Sequence, residues 1–302
     1  MKNFVLYHSN CMDGLMAAAI HMYHTVVNND TITYKYLACN YTDPVLDVEN
    51  SEIIFLDFCY KRDEMLSLLS RGNKILLIDH HISQLNGIKD LIEDGVIEST
   101  VSFENTNSGA GLTWNHFFPS RRMPVCVRYV EDRDLWNFNF TNTKAYTMYL
   151  STIPKTKEAY FFELKDSIED EDHFLMKCQH GTHLLKQHES IVDHIISSNL
   201  RVIDFGPYKN VPIINAPYQY ASDVASKVLE NPEYEKGFAV CFNYYKDVLG
   251  FSLRSRKDLN LVDVSLIAKE ISVKGGGHFS AAGANLLYSE CQDNAFVKSI
   301  QW

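Results

Sequence analysis

Strand and helix patterns alternate through the first half of the chain, and this alternation restricts the fold more than any other feature. Short apolar runs typical of strands lie at 4–7, 32–36, 53–56 and 74–78. Segments with helical character follow at 14–27, 61–71, 110–118 and 124–131. Parallel strands need long crossover connections, which are usually helices. The pattern therefore predicts an α/β fold with a doubly wound parallel sheet.

The second half of the chain has a different organisation. A charged stretch at 166–172 marks a change in composition, and the segment at 173–200 has no proline and a single glycine, as expected of a connecting helix. Strand and helix patterns then resume. We predict a catalytic metal-binding domain at 1–165, a helical linker at 166–200 and a smaller C-terminal α/β domain at 201–302.

Composition and charge restrict the partners of this protein. Of its 302 residues, 46% are hydrophobic and 22% are charged, and the formal net charge is −10. Proteins that bind long DNA or RNA normally offer an extended basic surface, because neutralising phosphates supplies much of the affinity. The main basic tract, at 254–257, is short. We expect a small phosphorylated ligand rather than a long duplex nucleic acid.

The remaining bulk features indicate a cytoplasmic protein. No apolar run approaches the roughly 20 residues that a membrane span requires. The first residues lead directly into a strand pattern, without the apolar region of a signal peptide. The seven cysteines have no CxxC spacing, which argues against a disulfide framework or a structural zinc site.

Three adjacent polar residues, Asp79, His80 and His81, follow the apolar strand pattern at 74–78. Ligands of open α/β sheets bind at the carboxyl ends of the strands. A carboxylate and two imidazoles at such an end are suited to binding a metal ion or a phosphate group. The triplet is therefore the strongest local indication of a functional site.

Further acidic and imidazole side chains lie at other element ends, namely His8, Asp13, Asp57, Asp132 and Asp134. Each of the four aspartates has an ordinary alternative: a helix cap for Asp13, a turn for Asp57 and a solvated loop for Asp132 and Asp134. Taken together they offer the ligands that Mn²⁺ or Mg²⁺ accepts. Two such ions can share a carboxylate and activate water for attack on phosphorus. The combination predicts a two-metal hydrolase.

The C-terminal domain has a second candidate site. The glycine run at 275–277 allows backbone N–H groups to approach an anion, and His278 adds a donor beside it. Arg254 can make a bidentate contact to phosphate. The ordinary alternatives are a flexible turn for the glycines and a surface position for the arginine.

With these motifs the chain resembles the DHH phosphoesterases that carry the DHH-associated C-terminal domain. Residues 8–14 are similar to motif I of that family, Asp57 to motif II, residues 79–81 to the motif that gives the family its name, and Asp132 to motif IV. The C-terminal domain matches the associated domain at 215–217, 222–223, 252–255, 275–278 and 281–283. The resemblance covers most of the chain.

The resemblance implies a binuclear site and assigns a role to each matching residue. The metal ligands would be His8, Asp13, Asp57, His80 and Asp132. Asp57 would bridge the two ions, and Asp79 would orient an imidazole ligand. The residues that act in catalysis would be Asp57, His80 and His81. The residues that bind substrate would be His81, Ser252, Arg254, Gly276, Gly277 and His278. The ions would be Mn²⁺ first, with Mg²⁺, Co²⁺ or Zn²⁺ as alternatives.

One position departs from the family pattern. Motif I commonly has two aspartates two residues apart, and Cys11 stands at the earlier place. A thiol is a softer ligand than a carboxylate. Cys11 is therefore a further candidate ligand, and we expect a functional enzyme with altered affinity at one of the metal positions.

The sequence thus predicts a phosphoesterase that hydrolyses phosphodiester or terminal phosphate bonds of short oligonucleotides or small nucleotides. Oligoribonuclease and 3′-phosphoadenosine-phosphate phosphatase activities come first among those of the family. The alternatives are a cyclic dinucleotide phosphodiesterase, a RecJ-type single-strand exonuclease and a non-catalytic nucleotide-binding protein. The sequence leaves open whether the chain forms a homodimer.

Overall fold

Two compact units make up the fold, Met1–Lys186 and Gln187–Trp302. The computed structural model describes residues 2–41 and 43–300. In that part of the chain, no helix combines the length and the apolar character needed to cross a bilayer.

The first unit is built on a parallel sheet with the strand order β2-β1-β3-β4-β5. Its strands are β1 (Asn3–His8), β2 (Tyr34–Cys39), β3 (Glu52–Leu56), β4 (Lys74–Asp79) and β5 (Glu98–Val101). The chain moves outward from β1 in one direction to β2 and in the other to β3. The carboxyl ends of β1 and β3 therefore flank the point where the strand order reverses, which is where open α/β sheets bind ligands.

Helices surround this sheet. They are α1 (Met12–Val27), α2 (Arg62–Ser70), α3 (Ile82–Gly87), α4 (Lys89–Glu93), α5 (Gly109–Phe117), α6 (Val125–Asp134), α7 (Thr143–Leu150) and α8 (Lys157–Glu169). The strand residues at 4–7 and 53–56 are buried, as expected of parallel strands covered on both faces. One core packs α1, α5 and α6 against the sheet, and another packs α2 and α3 against it.

The second unit contains a mixed sheet with the strand order β10-β11-β9-β8-β7-β6. Its strands are β6 (Leu200–Phe205), β7 (Tyr208–Asn215), β8 (Phe238–Tyr245), β9 (Val248–Ser255), β10 (Gly276–His278) and β11 (Ala281–Leu287). Neighbouring strands are antiparallel except for β7 and β8, which are parallel. The helices of this unit are α10 (Tyr218–Val228), α11 (Val264–Ile271), α12 (Tyr288–Cys291) and α13 (Ala295–Ser299).

The long helix α9 (Glu171–Asn199) contains the boundary between the units. In its first half, Gly181 lies directly against the backbone of α7. A Cβ at this position would lie 1.7 Å from the carbonyl oxygen of Ala145 and 3.2 Å from the amide nitrogen of Tyr149. Only a residue without a side chain fits this contact.

The predicted fold class is confirmed: a doubly wound parallel-sheet domain, a connecting helix and a smaller C-terminal α/β domain. Several elements differ from the prediction. Strand β2 lies two to three residues later than predicted, α6 extends through Asp134, and β5 has no counterpart among the predicted strands. Gly276 and Gly277 lie in a short strand, where a flexible turn was the ordinary alternative. The domain limits of 1–165, 166–200 and 201–302 stay a prediction; here the division into units falls within α9.

A buried histidine of α1 is packed among aromatic side chains. His21 is 1% exposed, and its Nδ1 lies 2.7 Å from the hydroxyl of Tyr36. The rings of Tyr34 and Phe117 pack on it with centroid distances of 4.7 and 5.1 Å. Burial lowers the pKa of His21 to about 3, and nearby His24 acts in the same direction. The folded protein therefore holds this imidazole neutral.

We predict that this histidine makes the first unit sensitive to acid. Between pH 3 and 6.5, His21 binds a proton in the unfolded chain but not in the folded protein. The contribution of His21 to the free energy of unfolding is therefore fully present above pH 6.5 and is lost as the pH falls through this range. At pH 5 this effect lowers the free energy of unfolding by about 2 kcal/mol relative to pH 7. Urea unfolding at both pH values measures it, and His21→Gln should reduce the difference. His194→Gln, at an exposed position, is the control and should behave like the parent protein.

Candidate functional site

The candidate site lies at the carboxyl end of the parallel sheet. His8 is the last residue of β1, and Asp57 follows β3 directly. Asp57 has a φ of 54°, an uncommon backbone conformation for a residue with a side chain. Such conformations cluster at functional sites, where the surrounding structure holds them in place.

The Asp57 carboxylate is buried between imidazoles. Its Oδ1 lies 3.3 Å from Nε2 of His80, and its Oδ2 lies 3.5 Å from Nδ1 of His8. Within the described residues, neither oxygen accepts a hydrogen bond of good geometry, and His8 Nδ1 takes part in none. A buried carboxylate of this kind has lost its hydrogen bonds to water, and hydrogen bonds within the protein do not fully replace them.

His80 connects Asp57 to two further carboxylates. Its Nδ1 lies 2.7 Å from the amide oxygen of Asn105, which fixes the proton on Nδ1. Its Nε2 faces Asp13 Oδ2 at 3.9 Å and Asp134 Oδ2 at 3.4 Å. In the neutral ring this Nε2 carries a lone pair, which is the form that binds metal ions.

Asp79 lies beneath the site and holds the two histidines that follow it. Its Oδ1 accepts hydrogen bonds from the backbone N–H groups of His80 (2.8 Å) and His81 (3.2 Å). The same oxygen lies 2.7 Å from His81 Nδ1. Asp79 therefore orients the ring of His81, while Asn105 orients that of His80.

Asp13 does not cap its own helix, which was the ordinary alternative for this residue. Cys11 is the N-cap of α1, and Asp13 points instead to the start of α5. Its Oδ1 accepts hydrogen bonds from Ser108 Oγ (2.6 Å) and Ala110 N (3.1 Å), while Oδ2 has no hydrogen-bond partner among the described residues. One oxygen of Asp13 thus fixes the side chain, and the other is directed into the site.

Ligand atoms within 4.8 Å of one another define three overlapping groups in the part of the chain that the structure describes: His8, Cys11 and Asp57; Asp57, His80 and His81; and Asp13, His80 and Asp134. Asp57 belongs to two groups and His80 to two. Predicted residues His8, Asp13, Asp57, His80 and His81 are therefore brought together, and Cys11 lies among them.

The structure does not bring Asp132 to this cluster. Its buried carboxylate accepts hydrogen bonds from the backbone of Asn139 (2.9 Å) and Phe140 (3.2 Å) and from the hydroxyl of Thr143. Asp134 occupies the place expected for Asp132. Both residues lie in the last turn of α6, where a separation of two residues turns side chains about 200° apart. The structure thus brings Asp134, and not Asp132, into the cluster, and the assignment of Asp132 as a metal ligand stays a prediction from the family pattern.

The electrostatics of the cluster reflect three carboxylates in one place. Burial raises the pKa of Asp13 well above its usual range, and the carboxylates of Asp57 and Asp134 raise it further. Burial acts in the same direction on Asp57, but the imidazoles of His8, His80 and His81 outweigh it and hold the pKa well below its usual range. The cluster thus combines a surplus of acidic groups with a shortage of hydrogen-bond donors.

These residues fit divalent metal ions. The buried atoms without a hydrogen-bond partner among the described residues include Oδ2 of Asp13, both carboxylate oxygens of Asp57 and Nδ1 of His8, which belong to the cluster. Carboxylate oxygens with imidazole nitrogens are ligands that Mn²⁺ accepts. Divalent cations would offset the negative charge that these aspartates carry when they are ionised.

Sequence reasoning did not identify the residues that hold the cluster from β5 and α5. Asn105 positions His80, Ser108 positions Asp13, and Gly109 allows α5 to approach closely. A signal was present: a polar segment and a Ser-Gly pair follow a strand and begin a helix, as at an N-cap. It was missed because β5 itself was not predicted.

Apart from His81, which lies in the cluster of the first unit, the predicted substrate-binding residues lie in the second unit. Arg254 on β9 is opposite Ala281 on β11, which is opposite His278 on β10, so the side chains of Arg254 and His278 share one face of the sheet. Ser252 and Gly276 lie on that face as well, and Gly277 lies between Gly276 and His278. Arg254 donates hydrogen bonds to Ser222 Oγ (2.6 Å) and to the carbonyl of Leu253 (2.7 Å). The arginine is thereby oriented along the sheet.

Comparison with known proteins identifies a relative in sequence. No family model matches the chain. An uncharacterized protein of Acanthamoeba polyphaga mimivirus is 28% identical over 296 residues, which include 92% of this chain. The chain spans 66% of the length of that relative.

Solved structures identify the fold. The DHH domain of a protein described as a member of a ribosomal protein family matches with a TM-score of 0.60 and 13% identity, over 99% of this chain and 86% of that one. Exonuclease RecJ bound to manganese matches with a TM-score of 0.51 and 14% identity, over 100% of this chain and 91% of that one. PggH, a pGpG-specific phosphodiesterase of Vibrio cholerae, matches with a TM-score of 0.50 and 13% identity, over 96% of this chain and 94% of that one. The chain has the fold of the DHH-domain proteins, as its motifs predicted.

We predict that Gly109→Ala disrupts the cluster. The added Cβ would lie 2.5 Å from Asp57 Cβ, 2.8 Å from Asp57 Oδ1 and 2.9 Å from Asp13 Oδ2, so both carboxylates would have to move. Mn²⁺ affinity, measured by calorimetry, should fall at least about tenfold, as for other changes to residues that orient ligands. Gly87→Ala is the control, because a Cβ there meets no atom of the described residues within 4 Å. Equal affinities in the two variants would contradict the prediction.

Proposed function

We propose that this protein is a metal-dependent phosphoesterase that hydrolyses phosphodiester or terminal phosphate bonds of short oligonucleotides or small nucleotides. The observation that carries the proposal is the convergence of Asp13, Asp57 and Asp134 on His80 at the switch point of the sheet. Within the described residues, oxygens of Asp13 and Asp57 lack hydrogen bonds there. Without a cation, a group of this kind would be costly to bury.

Two divalent ions, Mn²⁺ in the first place, would supply Lewis-acid charge and a water molecule acidic enough to attack phosphorus. His8, Asp57 and Cys11 would hold one ion. Asp13, His80 and Asp134 would hold the other, and Asp57 would be shared. The thiol of Cys11 makes the first position softer than one with a second aspartate.

The chain's own residues perform the remaining tasks. Asp79 and Asn105 fix the rings of His81 and His80, so that neither imidazole has to reorient during the reaction. With its Nδ1 directed to Asp79, His81 offers Nε2 to a phosphate oxygen. In the second unit, Arg254 and His278 provide donors for a phosphate, beside the backbone N–H groups of Gly276 and Gly277.

The charge of the protein supports a short substrate. The net charge of −10 disfavours a long polynucleotide, whereas a few donors and two metal ions suffice for a short one. Among the proteins that share the fold, PggH is a pGpG-specific phosphodiesterase, which supports a short substrate. RecJ is an exonuclease, and this keeps single-strand exonuclease activity as an alternative. Cyclic dinucleotide hydrolysis and nucleotide binding without catalysis are the others.

A panel of substrates with added Mn²⁺ tests the proposal. The panel contains a two-nucleotide RNA, a cyclic dinucleotide, 3′-phosphoadenosine phosphate and a single-stranded DNA of about 30 nucleotides, longer than the span of one typical single-strand-binding module. We expect mononucleotides to be released from the short RNA. Asp57→Asn and His80→Ala should each lower turnover at least about 100-fold, because each residue belongs to two ligand groups.

The other outcomes decide between the alternatives. Rapid degradation of the long DNA would contradict the argument from charge and favour an exonuclease. Hydrolysis that persists in the Asp57→Asn and His80→Ala variants would exclude the cluster as the catalytic site. Binding of a nucleotide without any turnover would favour the non-catalytic alternative.

We predict that substitution of Asp134 lowers turnover, whereas substitution of Asp132 lowers thermal stability. Asp134→Asn should lower Mn²⁺-dependent turnover at least about 100-fold with little change in melting temperature, because its side chain is 26% exposed and faces the cluster. Asp132→Asn should lower the melting temperature by several degrees, because it weakens hydrogen bonds to a buried carboxylate. Turnover and thermal unfolding of both variants measure this. If Asp132→Asn loses Mn²⁺ binding and Asp134→Asn does not, the assignment is reversed.

A further inference from the structure

Aromatic and cationic side chains form a platform between the end of α6 and the start of α7, in the part of the chain that also carries Asp134. The guanidinium of Arg133 lies over the ring of Trp136 at 4.2 Å and over that of Phe138 at 5.4 Å. Lys144 lies over Phe138 at 5.0 Å. The two rings meet edge to face, with centroids 5.0 Å apart, and both are partly exposed. We name Arg133, Trp136, Phe138 and Lys144 the aromatic platform.

The backbone of the platform is strained. Trp136 has a φ of 57° and Phe138 a φ of 52°. Bulky side chains rarely adopt this conformation, because the Cβ lies too close to the following carbonyl oxygen. Two such residues separated by one position persist only where neighbouring structure holds them, and segments of this kind are found in ligand clamps.

Asp132 supplies the anchor that holds the strained segment. Its carboxylate accepts hydrogen bonds from the backbone N–H groups of Asn139 and Phe140, and its carbonyl accepts one from Asn137 N at 3.0 Å. The N–H of Trp136 donates to the carbonyl of Arg133 at 3.0 Å. Asp132 thus fixes the segment on both sides of Phe138, through its backbone carbonyl before that residue and through its buried carboxylate after it.

The platform adjoins the candidate metal centre along the chain. Trp136 is two residues after Asp134, whose Oδ2 is 3.4 Å from His80 Nε2. Aromatic faces combined with arginine or lysine are the groups on which proteins stack nucleobases, and they are tolerant of the base because every base has a π face. The cations also attract the phosphate of the same nucleotide.

We propose that the aromatic platform stacks one nucleobase of the nucleotide whose phosphate lies at the candidate metal centre, with Trp136 as the principal stacking residue. Asp132 is then a positioning residue that acts through the backbone of the segment. This inference rests on the proposed function for the location of the phosphate. It adds that the substrate is recognised in part through a base, and not through its phosphates alone.

The test compares a ligand that has a base with one that lacks it. AMP and ribose 5-phosphate are titrated into the full chain with Mn²⁺, and binding is followed by calorimetry and by tryptophan fluorescence. In the parent protein, AMP should bind about tenfold more tightly than ribose 5-phosphate and should quench the fluorescence. Trp136→Leu should remove this preference, whereas Trp136→Phe, which retains a flat ring, should keep most of it and lose the quenching.

Phe162→Leu is the matched control, because it removes an exposed aromatic ring elsewhere in the same unit. It should bind AMP as the parent protein does. Equal affinities of the parent protein for AMP and ribose 5-phosphate, without quenching, would overturn the inference even if Trp136→Leu did not fold. The inference would also be overturned if the folded Trp136→Leu variant still bound AMP more tightly than ribose 5-phosphate.

Failure of this inference is distinguishable from failure of the proposed function. The substrate for the second comparison is a two-nucleotide RNA, together with analogues in which either base is absent. Hydrolysis that is equally fast with and without each base would leave the phosphoesterase in place and exclude the platform. A preference for AMP that depends on Trp136, in a protein that hydrolyses nothing, would retain the platform and exclude the phosphoesterase.

Discussion

The carboxylate of Asp57, buried between imidazoles at the end of β3, is the constraint on which the rest of the site depends. It is in contact with His8 from the neighbouring strand and with His80 from the end of β4, and the backbone of α5 passes against it at Gly109. A negative charge in this place must be compensated, since its oxygens have no hydrogen-bond donors of good geometry among the described residues. Strand order, the left-handed backbone of Asp57 and the close approach of α5 all serve to keep that one side chain in position.

Most of the fold and the centre of the site could be predicted because their signals are local. A buried parallel strand is a short apolar run in the sequence, and the first polar residue after that run marks the carboxyl end of the strand. His8, Asp57, His80 and His81 were found in this way, and the strand order brings them together. The C-terminal unit was harder, because its short strand β10 consists mainly of glycine and has no pattern of its own.

What could not be predicted depends on contacts between distant segments. Asn105 and Ser108 acquire their roles only because the loop after β5 lies beside His80 and Asp13, and nothing in their immediate sequence specifies those partners. The choice between Asp132 and Asp134 depended on whether α6 had already ended. Because the helix continues, one carboxylate turns toward the cluster and the other toward the segment that carries Trp136 and Phe138.

Gly181 sets the alignment of α9 on α7. Because its missing Cβ lets the carbonyl of Ala145 approach, the two helices have a single position along their axes at which they fit. Sliding α9 by one residue would bring Thr182 or His180 to that contact, where neither side chain has space. The glycine therefore acts as a stop that fixes the register of these two helices within the first unit, and a chain lengthened by one residue between α7 and Gly181 would have to absorb the addition in a loop.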